Sequence, residues 1–438
     1  MTTIPPNTPS AARPPAITVR AKIRPRVTCP HCWAVFDSSD AKWVAVHADL
    51  QSDPKLGEDK GQRFLPSRFT VEGNAIDAGG VVCQDTACPV CHLRVPRPLF
   101  ELPPMFASIA GTPSCGKTYF LASMTWRLRS VLPGQFGLAF SDADPVSNEK
   151  LNEYENQQFF NPDPDAIVKL AKTEEQGELY EMVDLGNGTV RLPKPFLFAM
   201  RPTSGGDGSS RLLCLYDNAG ESFQPGKDDA SAPVTRHLAH AKFLMFCFDP
   251  TQDPRLREDC KAHSLDPQVV VGLETRRQES VLHELIDRVR RHGALHQEEK
   301  VRQPLMVIVT KFDVWGGLIE RTTLPDPWTT TVDGGGRAVD SAAIEEVSRT
   351  VRALLWKYTP EMVSAAEAAS DRVLFVPVSA TGAPPIYDEA SGAVVGLRAG
   401  DVKPIWAETP LLYALANWSR GLLRSAGGAN AEAGATAP

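Results

Sequence analysis

The chain reads as an α/β protein, with a mostly parallel sheet flanked by helices and a small zinc-ribbon-like module in front of it. Three observations predict this. From about residue 105 to 424, short apolar runs alternate with longer amphipathic ones, the order expected of strands and helices in a covered parallel sheet. Gly111-Thr112-Pro113-Ser114-Cys115-Gly116-Lys117-Thr118 fits the phosphate-cradling pattern G-x-x-x-x-G-K-[ST] and falls between an apolar run and a helical stripe. Before both lie two C-x-x-C pairs, Cys29-Pro30-His31-Cys32 and Cys88-Pro89-Val90-Cys91.

With 438 residues, the chain exceeds what one hydrophobic core usually serves. Residues 1–28 are rich in proline and arginine and poor in apolar side chains, so a disordered arm is expected. The module then occupies 29–100, the α/β domain 101–424, and a loose Ala/Gly tail 425–438. Within the domain the strand candidates are Met105 to Ala110, Phe196 to Met200, Arg211 to Asp217, Phe243 to Asp249, Leu305 to Thr310 and Val373 to Val378. Helix candidates are Lys117 to Ser130, Gln278 to Arg291, Ala342 to Lys357 and Pro410 to Leu423, the last with Thr409 as N-cap and Pro410 at the first helical position. Stretches 142–187, 251–300 and 316–340 read as insertions near the rim of the site.

The formal net charge of −7 argues against a protein that wraps nucleic acid. No uninterrupted apolar run approaches the length of a membrane span, and no signal-peptide core is apparent, so a soluble cytoplasmic protein is expected. Of the 9 cysteines, Cys115, Cys214, Cys247 and Cys260 are scattered and read as buried free thiols.

A glycine-rich turn between strand and helix aims backbone N–H groups at phosphate oxygens. In that frame Gly111, Ser114, Cys115 and Gly116 form the cradle, Lys117 reaches the β and γ phosphates, and the Thr118 hydroxyl ligates Mg²⁺. Asp217-Asn218-Ala219-Gly220 follows an apolar strand, so Asp217 can hold Mg²⁺ through water while the Gly220 N–H meets the γ-phosphate. Thr310-Lys311-Phe312-Asp313 closes another strand. There the Asp313 carboxylate can accept both N1–H and N2–H of guanine, a fit adenine cannot offer, with the Lys311 stem along the base. Ser379-Ala380 after the next strand can bring a backbone N–H to the base carbonyl.

These four segments resemble the G1, G3, G4 and G5 motifs of the translation-factor and small-GTPase class of P-loop GTPases, over about residues 105–424. The resemblance implies a P-loop GTPase domain with a six-stranded sheet, Mg²⁺ with GTP or GDP, and loops that rearrange when the γ-phosphate leaves. More narrowly, the run Cys88 to Arg97 leading into such a domain is similar to bacterial GTPases of the double-GTPase type found in conflict or signalling operons. One motif set is present here.

The pattern departs from the family at several points. Glu221 stands where small GTPases often carry the glutamine that orients water; it either serves that role or faces solvent in a loop. A carboxylate beside the γ-phosphate adds like-charge repulsion, so slow turnover is expected. The switch threonine is assigned to Thr189 ahead of Thr173, and each fits an ordinary turn as well. Arg191 and Arg201 read as solvated edge residues, leaving a protein partner to supply any arginine finger.

Cys29, Cys32, Cys88 and Cys91 can give four thiolates to one tetrahedral Zn²⁺. The wide gap between the pairs requires an intervening hairpin near Phe69 to Val71 and Val81 to Val82, and Cys83, His31 and His92 are spare donors. The expected protein is a slow Mg²⁺-dependent GTPase switching a protein effector. Two alternatives remain open: a scaffold that holds GTP or GDP without hydrolysis, and a zinc-ribbon NTPase on nucleic acid, which the charge and Asp313 disfavour.

Overall fold

The computed structural model describes residues 23–168, 180–186, 188–203, 210–218, 236–264, 266, 269, 277–319, 323–331, 336–388, 393–419 and 422–426. Its centre is a seven-stranded sheet: β1 (Pro104–Gly111), β2 (Leu138–Asp142), β3 (Phe196–Pro202), β4 (Arg211–Asp217), β5 (Phe243–Phe248), β6 (Leu305–Val309) and β7 (Val373–Pro377). The spatial order is β2-β3-β4-β1-β5-β6-β7. The strands β4, β1, β5, β6 and β7 are parallel, while at one edge β3 runs antiparallel to β4 and β2 antiparallel to β3.

The six expected strands are all in this sheet, and the expectation of six strands is corrected to seven. The extra strand is β2, whose sequence LAFSD buries only Leu138 and Phe140 against β3 and offers too short an alternation to stand out. By contrast β5 (FLMFCF) and β6 (LMVIV) are buried at every position, because a parallel strand covered on both faces needs no polar side.

Helix α1 (Lys117–Phe136) runs past the expected end at Ser130. Pro133 sits within its final turn, where it disrupts little, and Gly137 closes the helix in a left-handed conformation at φ 60°. Helix α2 (Pro145–Phe159) occupies what reads as an insertion. Asp144 caps it by accepting from the Val146 N–H at 3.1 Å, and Pro145 takes the first helical position. Asn148 pairs with the Leu197 backbone, donating to its carbonyl at 2.9 Å and accepting its N–H at 2.7 Å, so α2 clamps β3 through polar contacts. Helices α3 (Gln278–His292), α4 (Ser341–Tyr358), α5 (Pro360–Ala369) and α6 (Thr409–Asn417) complete the layers. At α6 the cap is Glu408 rather than Thr409, and the helix ends at Asn417 rather than Leu423.

The cysteine module is built from short antiparallel pairs, beginning with Arg26–Thr28 against Val35–Asp37, so the last residues of the expected arm 1–28 form a strand of the module instead. Ala75–Ile76 pairs with Val82–Cys83, close to the hairpin expected between the knuckles. The module does not hang from the domain. Val27, Trp33, Phe36, Leu93 and Leu99 share one core with Leu197, Leu212 and Tyr216 of the sheet, and with Val183 and Leu192 of the hairpin Tyr180–Asp184/Thr189–Pro193. Residues 316–340 hold a further small hairpin, Trp328–Thr330 with Arg337–Val339. Among the described residues no helix is long and apolar enough to cross a membrane.

Candidate functional site

In the sheet order β1 lies between β4 and β5, two strands that follow one another along the chain, and such an arrangement is where α/β sheets commonly place a ligand beyond the C-terminal strand ends. Register places the other strand ends at the same rim. Asp217 pairs with Ile109, Cys247 with Gly111, Val309 with Phe248, and Pro377 with Val309. The segments beginning at Gly111, Asp217, Asp249, Thr310 and Ser379 therefore emerge side by side.

The loop after β1 is wound by two left-handed residues, Ser114 at φ 65° and Gly116 at φ 85°. A side chain on Gly116 would meet nothing within 4 Å, so its glycine answers to backbone conformation and leaves open space in front of the loop. Gly111 is different: a Cβ there would lie 2.7 Å from the Cys247 carbonyl oxygen and 2.8 Å from Cys115 Sγ. Gly111→Ala is accordingly expected to push the loop off β5 and lower the melting temperature by several degrees, read by scanning calorimetry.

Lys117 opens α1 and forms an ion pair with Asp217, both side chains buried. Burial acts to lower the Lys117 pKa, but the Asp217 carboxylate outweighs it and holds the ammonium above its ordinary value. Thr118 is the next helical residue. Asn218 anchors the turn after Asp217, donating to Ser108 Oγ at 2.9 Å and to the Ile109 carbonyl at 2.8 Å. Gly220, Glu221 and Thr173 lie outside the described residues.

The Thr310 hydroxyl donates to the Cys115 carbonyl at 2.8 Å, tying the turn after β6 to the glycine-rich loop. Lys311 follows at φ 59°, and its ammonium lies 2.6 Å from the fully buried Asp249 carboxylate. Asp313 sits in the short helix Phe312–Trp315, and the fully buried Ser379 follows the end of β7. Burial pushes its pKa above the ordinary carboxylate range against the pull of Ser379 and Lys311. Ala380 is held from behind: the Ser123 hydroxyl donates to its carbonyl at 2.6 Å, and the Gln158 amide does so at 3.2 Å.

Thr189 stands elsewhere. It begins the second strand of the hairpin that packs on the cysteine module and is exposed, paired in register with Asp184. Arg191 on the same strand lies over the Tyr180 ring at 4.8 Å, and Arg201 pairs with Glu101 at 2.8 Å.

Four buried polar residues at the rim went unread in the sequence. Gln278 at the start of α3 accepts from the Thr112 hydroxyl and the Asp249 N–H, both at 3.0 Å, stapling the loop to the end of β5. Asp249, Ser123 and Gln158 are the others. No motif marks them, since each meets a partner, such as the Lys311 ammonium for Asp249 or the Ala380 carbonyl for Ser123 and Gln158, whose position only the fold supplies.

The second site is the cysteine cluster. The sulfurs of Cys29, Cys32, Cys88 and Cys91 all lie within 4.8 Å of one another. Cys29 and Cys91 are 3.7 Å apart and Cys32 and Cys88 3.8 Å, close to the edge of about 3.8 Å that a tetrahedron of thiolates around zinc requires. Backbone N–H groups of His31 and Val90 point at Cys29 Sγ and Cys88 Sγ, at 3.4 and 3.3 Å. Burial pushes the Cys29 thiol well above its ordinary value, while hydrogen bonds from the other three draw Cys88 far below it. Four sulfurs converged at these distances favour a cation at their centre. The donor set fits zinc.

Cys83 is not part of the cluster, its sulfur lying 3.7 Å from Asp77. His92 contacts Asp53 at 2.8 Å, and His31 is wedged between the Pro193 and Arg94 carbonyls at 3.0 Å each, so both histidines brace the knuckles to their surroundings.

No family model matches the chain. A protein of Mycolicibacterium smegmatis that carries the provisional name ESX-1 scaffolding and assembly protein SaeC is 28% identical over 253 residues. That similarity covers 57% of this chain and 56% of the relative, so the chain matches little more than half of that protein's length.

Proposed function

We propose that the chain binds a guanine nucleotide with Mg²⁺ at the rim of the sheet and hydrolyses GTP slowly, as a switch for a protein partner. The observation that carries this reading is the bond from Thr310 to the Cys115 carbonyl. It joins the turn bearing Asp313 to the loop bearing Lys117, so one ligand can span a base-reading carboxylate and a phosphate-binding ammonium.

In this structure Lys117 and Asp217 neutralise each other. A triphosphate would take over Lys117, freeing Asp217 to hold Mg²⁺ together with Thr118, and that ion would draw charge from the β and γ oxygens. The left-handed loop residues Ser114 and Gly116 turn backbone N–H groups toward the same phosphates. At the other end Asp313 accepts from the guanine edge, and Ala380, fixed by Ser123 and Gln158, presents its N–H to the base carbonyl. Glu221 and Gly220 belong to the reading as the water-orienting and γ-phosphate positions.

Calorimetric titration with GDP, a non-hydrolysable GTP analogue and ATP tests it. Guanine nucleotides should bind in the presence of Mg²⁺ and ATP should not; equal affinity for ATP, or no binding, defeats the proposal. Asp313→Asn is expected to move preference from guanosine to xanthosine nucleotides by about tenfold or more, since the amide meets a carbonyl where guanine carries an amine.

The raised Asp313 pKa adds a pH dependence. Guanine recognition uses the anion, so affinity should weaken as pH falls through the raised value, with titrations near pH 5 and pH 7.5 giving the comparison. For the empty protein the sign reverses. The group's contribution to stability is full below the ordinary carboxylate value and is lost as pH rises through the raised one.

A second reading, a scaffold holding nucleotide without turnover, is favoured by the relative's name as a scaffolding and assembly protein. Single-turnover hydrolysis of labelled GTP by the wild-type chain and Glu221→Gln separates the two, because only a GTPase releases phosphate.

A further inference from the structure

We propose that metal occupancy of the four-cysteine site and nucleotide occupancy of the sheet rim are thermodynamically linked, and that Tyr216 is the side chain that links them. The inference rests on the nucleotide reading above and adds to it a means by which the cysteine module regulates the site.

Tyr216 immediately precedes Asp217 on β4 and is 1% exposed. Its hydroxyl donates to the Pro30 carbonyl at 2.5 Å, and Pro30 lies between Cys29 and His31 in the first knuckle. Its ring stacks on His237 at 4.5 Å and 20°, and lies 6.2 Å from Trp33, the residue after Cys32. Trp33 also lies 6.1 Å from His237 and stacks parallel to His240 at 6.2 Å and 7°. The knuckle therefore grips the chain on both sides of 218–236: at Tyr216 before it, and at the helix His237–His240 after it.

The geometry makes two sites share one constraint. Pro30's carbonyl direction is set by the turn through Cys29 and Cys32, which a metal holds closed and which relaxes when the sulfurs separate. A buried tyrosine hydroxyl without its acceptor is costly, so an open knuckle shifts Tyr216. Asp217 is the adjacent residue on the same strand end and is the carboxylate paired with Lys117. Ligands that each favour the same arrangement of Tyr216 must tighten each other by the same factor.

The test uses the full chain. Zinc affinity is measured by competition with a chromophoric chelator, with and without saturating GDP and Mg²⁺; GDP affinity is measured by calorimetry on zinc-loaded and chelator-treated protein. GDP is expected to tighten zinc on the order of fivefold, the scale of one net hydrogen bond, and zinc to tighten GDP by the same factor. Tyr216→Phe, which keeps the ring stack and removes the hydroxyl, should bring both ratios to about one while each ligand still binds. Tyr413→Phe removes a buried hydroxyl bonded to Glu345 instead and should leave the ratios unchanged. Zinc affinity unaltered by bound GDP, or a ratio that survives Tyr216→Phe, overturns the linkage and leaves the nucleotide reading standing. Absence of any guanine-nucleotide binding overturns that reading and the linkage with it.

Discussion

Lys117→Ala is expected to abolish measurable nucleotide binding and, in the empty protein, to lower stability by about 3 to 5 kcal/mol. The two effects have different origins. The first follows from the proposed nucleotide site, where loss of the phosphate-binding ammonium should weaken GDP at least about a hundredfold in calorimetry. The second arises because Lys117 is the partner of a buried carboxylate: with Lys117 gone, Asp217 keeps a charge away from water with nothing to neutralise it. Lys117→Met combined with Asp217→Asn separates them. That neutral pair should recover most of the lost stability in a denaturant titration and recover none of the binding. If Lys117→Ala were as stable as the wild type, the buried ion pair would not describe the protein in solution.

Stripping the metal should have the larger structural effect. The four cysteines are not on a surface tab; Cys29, Cys88 and Cys91 lie in the core that holds Trp33, Leu99, Leu197, Leu212 and Tyr216 together, and the half-buried Cys32 packs against it. On the zinc reading of the cluster, loss of the ion would leave four converged sulfurs unsupported against that core. Strong chelation, or Cys91→Ser, is expected to lower the melting temperature on the order of 10 °C and to broaden the transition. Cys83→Ser, whose sulfur faces Asp77 outside the cluster, should retain one zinc per chain by elemental analysis. Metal content that survives Cys91→Ser would remove that residue from the ligand set.

Much of the architecture was legible because its signals are local. Parallel strands such as β5 and β6 are unbroken apolar runs, and the two C-x-x-C pairs announce, by their residue type, the cluster of sulfurs that the fold brings together. What stayed hidden depends on contacts across the chain. Helix α2 buries Asn148, Glu155 and Gln158 among its contact residues, so a search for an apolar stripe passes over it. Edge strand β2 is short and half polar. Gln278 meets the Thr112 hydroxyl and Ser123 the Ala380 carbonyl, each more than a hundred residues away, while Asp249 pairs with a lysine in the next strand's turn, and no pattern in one sequence ties such partners together. Thr189 shows the converse: position along the chain suggested a switch residue, while the fold puts it on a hairpin that braces the cysteine module.

The core shared by the module and the sheet also has a bearing on how the protein is made. The second knuckle leaves the ribosome with Cys91, but the strand face that covers it ends at Tyr216, 125 positions later (216 − 91). At ordinary elongation rates the nascent module waits roughly 6 to 25 seconds with its oily side uncovered. Zinc captured early would hold the newborn segment in shape through that interval. A polypeptide severed near residue 101 would leave both fragments sticky, so the two halves are better regarded as a single unit of biosynthesis than as cargo and carrier.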